Sequence, residues 1–169
     1  MTDKTDLKPT ASITLRAAYP SEARTIASMS RLYIEHGLHW RWTPAKVKRH
    51  IRDKDTMVLV ASRDAVIAGF AIMRFGDDQA HLFLLAVQPE FRRTGIGRSM
   101  MQWLEKSCRA AGIQQLRLEV RASNRGARLF YWQLGFWFLG QVAGYYDRRE
   151  AAVIMGRSLN DPRPRFSSD

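Results

Sequence analysis

The sequence predicts an α/β fold in one layer stack, a mixed sheet with helices packed on it. Two observations carry this. Two-residue alternation and helical spacing of apolar residues take turns along the chain, in the order β, α, α, β, β, β, α, β, α, β, β. With 169 residues and 46% hydrophobic content, there is also enough chain to bury one full core. A single domain is expected over 12–159, with 1–11 and 160–169 as flexible tails.

The elements follow in order. "SITLRAAY" (12–19) alternates as a first strand. Pro20, Ser21 and Glu22 open a helix through about Glu35, with Ala23, Ile26, Ala27, Ser30 and Ile34 on one stripe. "HGLHWRW" (36–42) is an irregular, aromatic-rich connection. Thr43 as N-cap and Pro44 in the first helical position start the short basic helix "TPAKVKRHIRDKD". Strands "TMVLVAS" (56–62) and "AVIAGFAIMRF" (65–75) are joined by "RD" at a tight turn, and "DD" at 77–78 turns the chain into "QAHLFLLAV" (79–87). That strand is apolar on both faces at its end, the mark of a central position. Gly95 to Ala111 is an amphipathic helix with Ile96, Met100, Trp103, Leu104 and Ser107 inward, closed by Gly112. "QQLRLEVRA" (114–122) is a strand, and "SNRGARLFYWQL" (123–134) is a helix that Gly135 stops. "FWFLGQVAGYY" and "EAAVIMGRSL" supply the last two strands.

Composition excludes several classes. The polar N-terminus is no signal peptide, and no apolar run is long enough to cross a bilayer, so a cytoplasmic location and no membrane partner are expected. A lone cysteine, Cys108, rules out an internal disulfide or a multi-cysteine metal site, and its helical spacing with Met100, Leu104 and Ala111 predicts a buried packing role. Histidines 36, 39, 50 and 81 are candidate bases, but no cluster has metal-ligand spacing, so no metal is expected. The net charge of +11, mostly arginine, favours anionic partners: nucleic acid, acidic peptides or phosphorylated small molecules.

The most informative stretch is "AVQPEFRRTGIGRSMM" (86–101). Gly95 and Gly97 allow close approach of a ligand to the main chain. The helix that starts there leaves its first N–H groups unpaired at the positive end of its dipole. Arg92, Arg93 and Arg98 add full charges. Together these make an anion site suited to a diphosphate. The bland reading is a sharp strand-to-helix turn. Met100 occupies the third glycine position of the dinucleotide fingerprint, and the Gly-Lys-Ser/Thr pattern is absent, so the ligand is neither a Rossmann dinucleotide nor a Walker-type nucleotide.

"RRTGIG" resembles the arginine/glutamine-x-x-G-x-G/A pyrophosphate loop of the GCN5-related N-acetyltransferases. "LRLEVRASNRGARLFYWQLGF" is similar to the ribosomal-protein alanine N-acetyltransferase branch, and "GYYDRREAAVIMGRSL" resembles its closing hairpin. The resemblance covers about residues 56–158. It implies a mostly antiparallel mixed sheet with a central splayed strand pair and helices on both faces. It implies acetyl-CoA as co-substrate and direct transfer of its acetyl group to a primary amine, on a protein N-terminus, a lysine or a small molecule.

The same resemblance implies roles for single residues. The backbone of Leu85, Ala86 and Val87 would pair with the pantetheine arm. The amides of Arg93, Thr94, Gly95, Ile96, Gly97 and Arg98 would cradle the pyrophosphate, with Arg92 beside them. Asn124 would contact the cofactor, Tyr131 would protonate the departing thiolate, and Glu119 would take a proton from the amine directly or through water. Each has a plainer reading: Tyr131 as core, Glu119 as a surface carboxylate paired with Arg117 and Arg121, Asn124 as a helix cap. Acceptor choice rests with the first two helices and the last hairpin, and "HGLHWRWTPAKVKRH" departs from the ribosomal-protein branch. Trp40 and Trp42 are equally core or the floor of an acceptor groove. The basic helix 44–54 is a solvated face or a guide for an acidic or ribosome-associated target. A homodimer is one expectation for partners. A nucleic-acid-binding module and a catalytically silent acyl-CoA sensor are the alternatives.

Overall fold

The computed structural model describes residues 12–160; both expected tails lie outside that range, save for Asn160. The strands are β1 (Thr14–Ala17), β2 (Thr56–Arg63), β3 (Val66–Phe75), β4 (Gln79–Val87), β5 (Gln115–Arg121), β6 (Trp137–Tyr146) and β7 (Glu150–Ser158). The helices are α1 (Ala23–Tyr33), α2 (Pro44–Arg52), α3 (Ile96–Ala110) and α4 (Arg125–Gln133). Their order matches the sequence reading.

Two helix ends differ from expectation, and a glutamate sets each. Pro20–Glu22 form a separate 3₁₀ turn because the Glu22 carboxylate reaches back. It accepts from the Tyr19 N–H at 2.7 Å and from Arg16 Nη2 at 2.7 Å. Helix α1 stops at Tyr33 because Glu35 turns inward, where it accepts from Ser30 Oγ at 2.9 Å and the Arg41 N–H at 2.7 Å. The expected signals act elsewhere: Thr43 Oγ1 caps α2 at the Lys46 N–H, and Gly112 (φ +76°) and Gly135 (φ +85°) end α3 and α4.

The seven strands form one sheet in the order β1-β2-β3-β4-β5-β7-β6, antiparallel except where β4 meets β5. That parallel pairing covers only Gln79–Leu82 against Gln115–Leu118. The cause lies in β4. Opposite β3, Leu84 pairs with Ile72 and Leu82 with Met73, so Phe83 is an extra residue, a β-bulge. The bulge swaps the faces of the strand. Ala80 and Leu82 point to one side of the sheet, but Leu84 and Ala86 point to the other. This is why "HLFLLAV" reads as apolar on both faces. Beyond Leu82 the strands separate, and β5 remains paired with β7 to its end.

Each face of the sheet carries its own core. Helices α1 and α2 cover Val58, Val60, Phe70, Ile72 and Leu84 with Ile26, Ala27, Met29 and Val47. Helices α3 and α4 cover Leu59, Ala71, Met73, Leu116 and Leu118 with Met100, Met101, Leu104 and Leu134. Cys108 is buried in the second core beside Met73, and burial pushes its thiol up to about 12. There it packs and does not react. A buried ion pair between Glu105 of α3 and Arg157 of β7 joins helix to sheet; nothing in the sequence pattern singles it out.

Candidate active site

The separation of β4 from β5 opens a groove of about 1330 Å³ that passes through the sheet. Its walls include nearly every residue singled out from the sequence: Leu85, Ala86, Val87, Arg92, Arg93, Gly95, Ile96, Gly97, Arg98, Glu119, Asn124 and Tyr131. Thr94 stands just outside, where its hydroxyl donates to the Phe91 carbonyl at 2.5 Å and holds the loop.

At one end lies the turn into α3. Gly95 has φ +87° and open space around its Cα, so the left-handed conformation alone demands glycine there. Arg93 is also left-handed, with φ +62°. The first hydrogen bond of the helix runs from the Ser99 N–H to the Gly95 carbonyl at 2.9 Å, so the amides of Ile96, Gly97 and Arg98 precede the ladder. Gly97 serves packing as well as approach. A Cβ there would stand 3.2 Å from Phe130 Cζ, so α4 can lie against the first turn of α3. The Ile96 side chain is core, which leaves only its amide for a ligand. Arg92 is committed to the protein: Nε donates to the Val87 carbonyl at 2.9 Å, and the guanidinium faces the Tyr33 ring at 5.6 Å. Arg93 and Arg98 are exposed charges beside the amides.

At the middle of the groove two side chains arrive from opposite faces. Tyr131 belongs to the α3–α4 core; its ring is held edge-on by Phe130 (5.1 Å) and Phe136 (5.6 Å). Burial, and secondarily Tyr146, push its phenol well above the usual value, so it stays protonated at any working pH. Glu119 stands on β5, on the face opposite Leu118 and Val120. It is fixed by His81, with Nε2 to Oε2 at 2.5 Å, and more loosely by Arg117, with Nε to Oε1 at 3.7 Å. The expected pairing of Glu119 with Arg121 does not occur; Arg121 turns to Glu150 (3.6 Å) and to the His36 carbonyl (2.8 Å). Asn124 caps α4, its Oδ1 accepting from the Ala127 N–H at 3.0 Å, which leaves its Nδ2 for a ligand.

The far end is built by the loop after α1 and the β6–β7 turn. Asp147 ties them: Oδ2 accepts from the His39 N–H at 2.6 Å and Oδ1 from Arg41 Nη2 at 2.9 Å. The walls here are Trp42, Lys46, His50, Phe83, Tyr145 and Tyr146. Trp42 packs against His50 and Phe83, and Lys46 Nζ sits over its ring at 4.2 Å. Both tryptophans pack against the α1–α2 core, and one of them also lines the groove. Trp42 lines the groove, and Trp40 packs on the α1–α2 core under Arg31. Of the four histidines, His81 stands beside the candidate base. The sequence signal was present, because a parallel register places position 81 next to 117, but that register is invisible without the sheet. Among the described residues, no group of three or more His, Cys, Asp or Glu could hold a metal ion, and no helix is long and apolar enough to cross a membrane.

Comparison with known proteins agrees with this geometry. Residues 19–136 match the acetyltransferase (GNAT) family. The [ribosomal protein bS18]-alanine N-acetyltransferase of Escherichia coli is 39% identical over 102 residues, 59% of this chain and 69% of that protein. The enzyme of the same name from Haemophilus ducreyi is 35% identical over 136 residues, 77% of this chain and 93% of its own. The crystal structure of the Escherichia coli ribosomal-protein-S18-alanine N-acetyltransferase superposes with a TM-score of 0.74 at 28% identity, covering 92% of this chain and 99% of the other. The reaction class follows: transfer of an acetyl group from acetyl-CoA to an amine. A bulged central strand, a groove through the sheet and an amide-rich turn at its mouth therefore belong to a member of the GNAT family of acetyltransferases.

Proposed function

We propose that this enzyme acetylates the α-amine of a protein N-terminus, with an alanine-initiated ribosomal protein as the acceptor and the cytoplasm as its place of work. One observation carries the residue assignment: the split between β4 and β5 lets Glu119 from one face and Tyr131 from the other line the same groove. The names of the relatives support the acceptor.

In this reading the amides from Arg93 to Arg98 bind the pyrophosphate, with Arg93 and Arg98 as the mobile charges and Arg92 shaping the turn. From Leu85 to Val87, where β5 no longer pairs with it, β4 holds the pantetheine arm, with the Val87 carbonyl already taken by Arg92 Nε, and Asn124 Nδ2 reaches the cofactor. Glu119 takes a proton from the acceptor ammonium. The neutral amine then attacks the thioester carbonyl, the carbon–sulfur bond breaks, the thiolate leaves toward Tyr131, and the second proton of the nitrogen passes to the departing sulfur to give the amide and the CoA thiol. From ordinary values of about 10 for a phenol and about 8.5 for a thiol, full proton transfer is uphill by about 2 kcal/mol, and burial of Tyr131 widens the gap. Tyr131 therefore acts chiefly by donating a hydrogen bond to the developing thiolate.

Calorimetric titration with acetyl-CoA, CoA and ATP, followed by mass spectrometry of a synthetic bS18 N-terminal peptide, tests the proposal. Acetyl-CoA binding and one acetyl group on the peptide α-amine are expected. Acetyl-CoA binding without acetylation of any amine would identify a silent sensor, and nucleic-acid retention without acetyl-CoA binding would overturn the reading of the turn.

A further inference from the structure

We infer that His81 is a positioning residue for Glu119, holding one carboxylate oxygen so that the other faces the incoming amine. The inference rests on the proposed role of Glu119 as the base.

The topology prepares the contact. His81 lies on one of the last two closed rungs of the parallel β4–β5 ladder, opposite Arg117, and Glu119 is the first β5 residue past the ladder's end. No main-chain pairing remains on that edge; β7 still holds the Glu119 backbone, and the direction of its carboxylate is set by side-chain partners. The strongest is His81, whose Nε2 lies 2.5 Å from Oε2. The imidazole is itself held: its ring stands 4.8 Å from Phe83, which packs against Trp42 at 5.7 Å and His50 at 5.8 Å. The bulge residue that splits the sheet thus also braces the histidine.

Among the other groups facing the pair, Arg117 is the competitor for Glu119. Arg117 on β5 approaches Oε1 at 3.7 Å, beyond hydrogen-bond reach. Arg121 is engaged with Glu150 and the His36 carbonyl. Tyr145 and Tyr146 on β6 stand close enough that the Glu119 charge helps to raise their phenols. Arg74 on β3 is opposite His81, and His50 of α2 lies behind Phe83. Without His81, the carboxylate would turn to Arg117, and an oxygen bound to a guanidinium is a poor proton acceptor. A donor from His81 leaves Oε1 with only the loose Arg117 contact.

The test uses acetyl-CoA, a bS18 N-terminal peptide and the full chain. His81→Leu should lower kcat/KM by roughly 10- to 100-fold, the worth of a hydrogen bond to a charged group, with acetyl-CoA affinity unchanged. His81→Gln, whose amide N–H reaches near the Nε2 position, should restore most of the rate. In a Glu119→Gln background, His81→Leu should have less than a twofold further effect. Nitrogen-15 NMR of the ligand-free protein should show a downfield Nε2-bound proton on His81 that is lost in Glu119→Gln. A wild-type rate in His81→Leu, beside an inactive Glu119→Gln, would overturn the positioning role alone. So would a His81→Gln as impaired as His81→Leu. Wild-type rates in Glu119→Gln would overturn the assignment of the base and this inference with it.

Discussion

Replacing Tyr131 by Phe removes one oxygen and leaves the packing in place. The ring contacts with Phe130 at 5.1 Å and Phe136 at 5.6 Å are unaffected, so stability should change by less than about 1 kcal/mol. What is lost is the hydroxyl facing the groove. A hydrogen bond to a charged group is worth about 1.5–3 kcal/mol, which corresponds to a fall in kcat of roughly 10- to 150-fold. Because burial keeps the phenol protonated, Tyr131 should contribute no basic limb below about pH 10. Initial rates of thiol release at saturating acetyl-CoA and peptide, with calorimetric affinity for acetyl-CoA in parallel, separate kcat from binding. Full turnover in Tyr131→Phe would refute the role. A basic limb near neutral pH that vanished in the variant would refute the argument from burial.

Gly95→Ala should lose about 1–2 kcal/mol of stability from the left-handed backbone alone and should weaken acetyl-CoA binding; thermal melting with and without acetyl-CoA measures both. Glu105→Gln breaks the buried pair with Arg157, and a loss of about 3–5 kcal/mol is expected in denaturant unfolding, largely recovered in Glu105→Leu/Arg157→Met. Asp147→Ala unties the loop after α1 from the β6–β7 turn; the pair is exposed and weak, so the KM for peptide should rise by no more than about fivefold, with acetyl-CoA affinity unchanged. Burial, then Lys46 and Arg49, hold the His50 imidazolium below its usual range. The unfolded chain therefore takes up that proton first, and stability should fall as pH drops below about 6.5; in His50→Gln the slope of melting temperature between pH 7 and 5 should be shallower.

Local chemistry was legible in the sequence, and long-range register was not. Thr43, Gly112 and Gly135 mark helix ends through contacts within a few residues, so their signals survive without tertiary context. The run "RRTGIG" is legible for the same reason, because a helix start and its amides are local. Glu22 and Glu35 are the exceptions: their partners lie within six residues, but side-chain reach and not periodicity sets the ends of α1. The pairing of His81 with Glu119, the turning of Arg121 to Glu150 and the burial of Glu105 with Arg157 all join residues far apart in the chain. The extra residue in β4 was half visible, as a strand apolar on both faces. Its consequence, a split sheet, requires knowing that β3 stays in step on one side as β5 departs on the other.

That extra residue makes the cleft a matter of counting. No single side chain keeps β4 and β5 apart; one more amino acid on the inner strand than on its neighbour does. Substitution at Phe83 would change what lines the gap but not the gap itself. Deletion of that one position would leave Leu84 opposite Ile72 and Ala86 opposite Phe70 in a regular strand, let the ladder run on past Leu118, and close the route from Glu119 to Tyr131. The chain could keep all its catalytic groups and fold to a more regular sheet with nowhere to put a thioester.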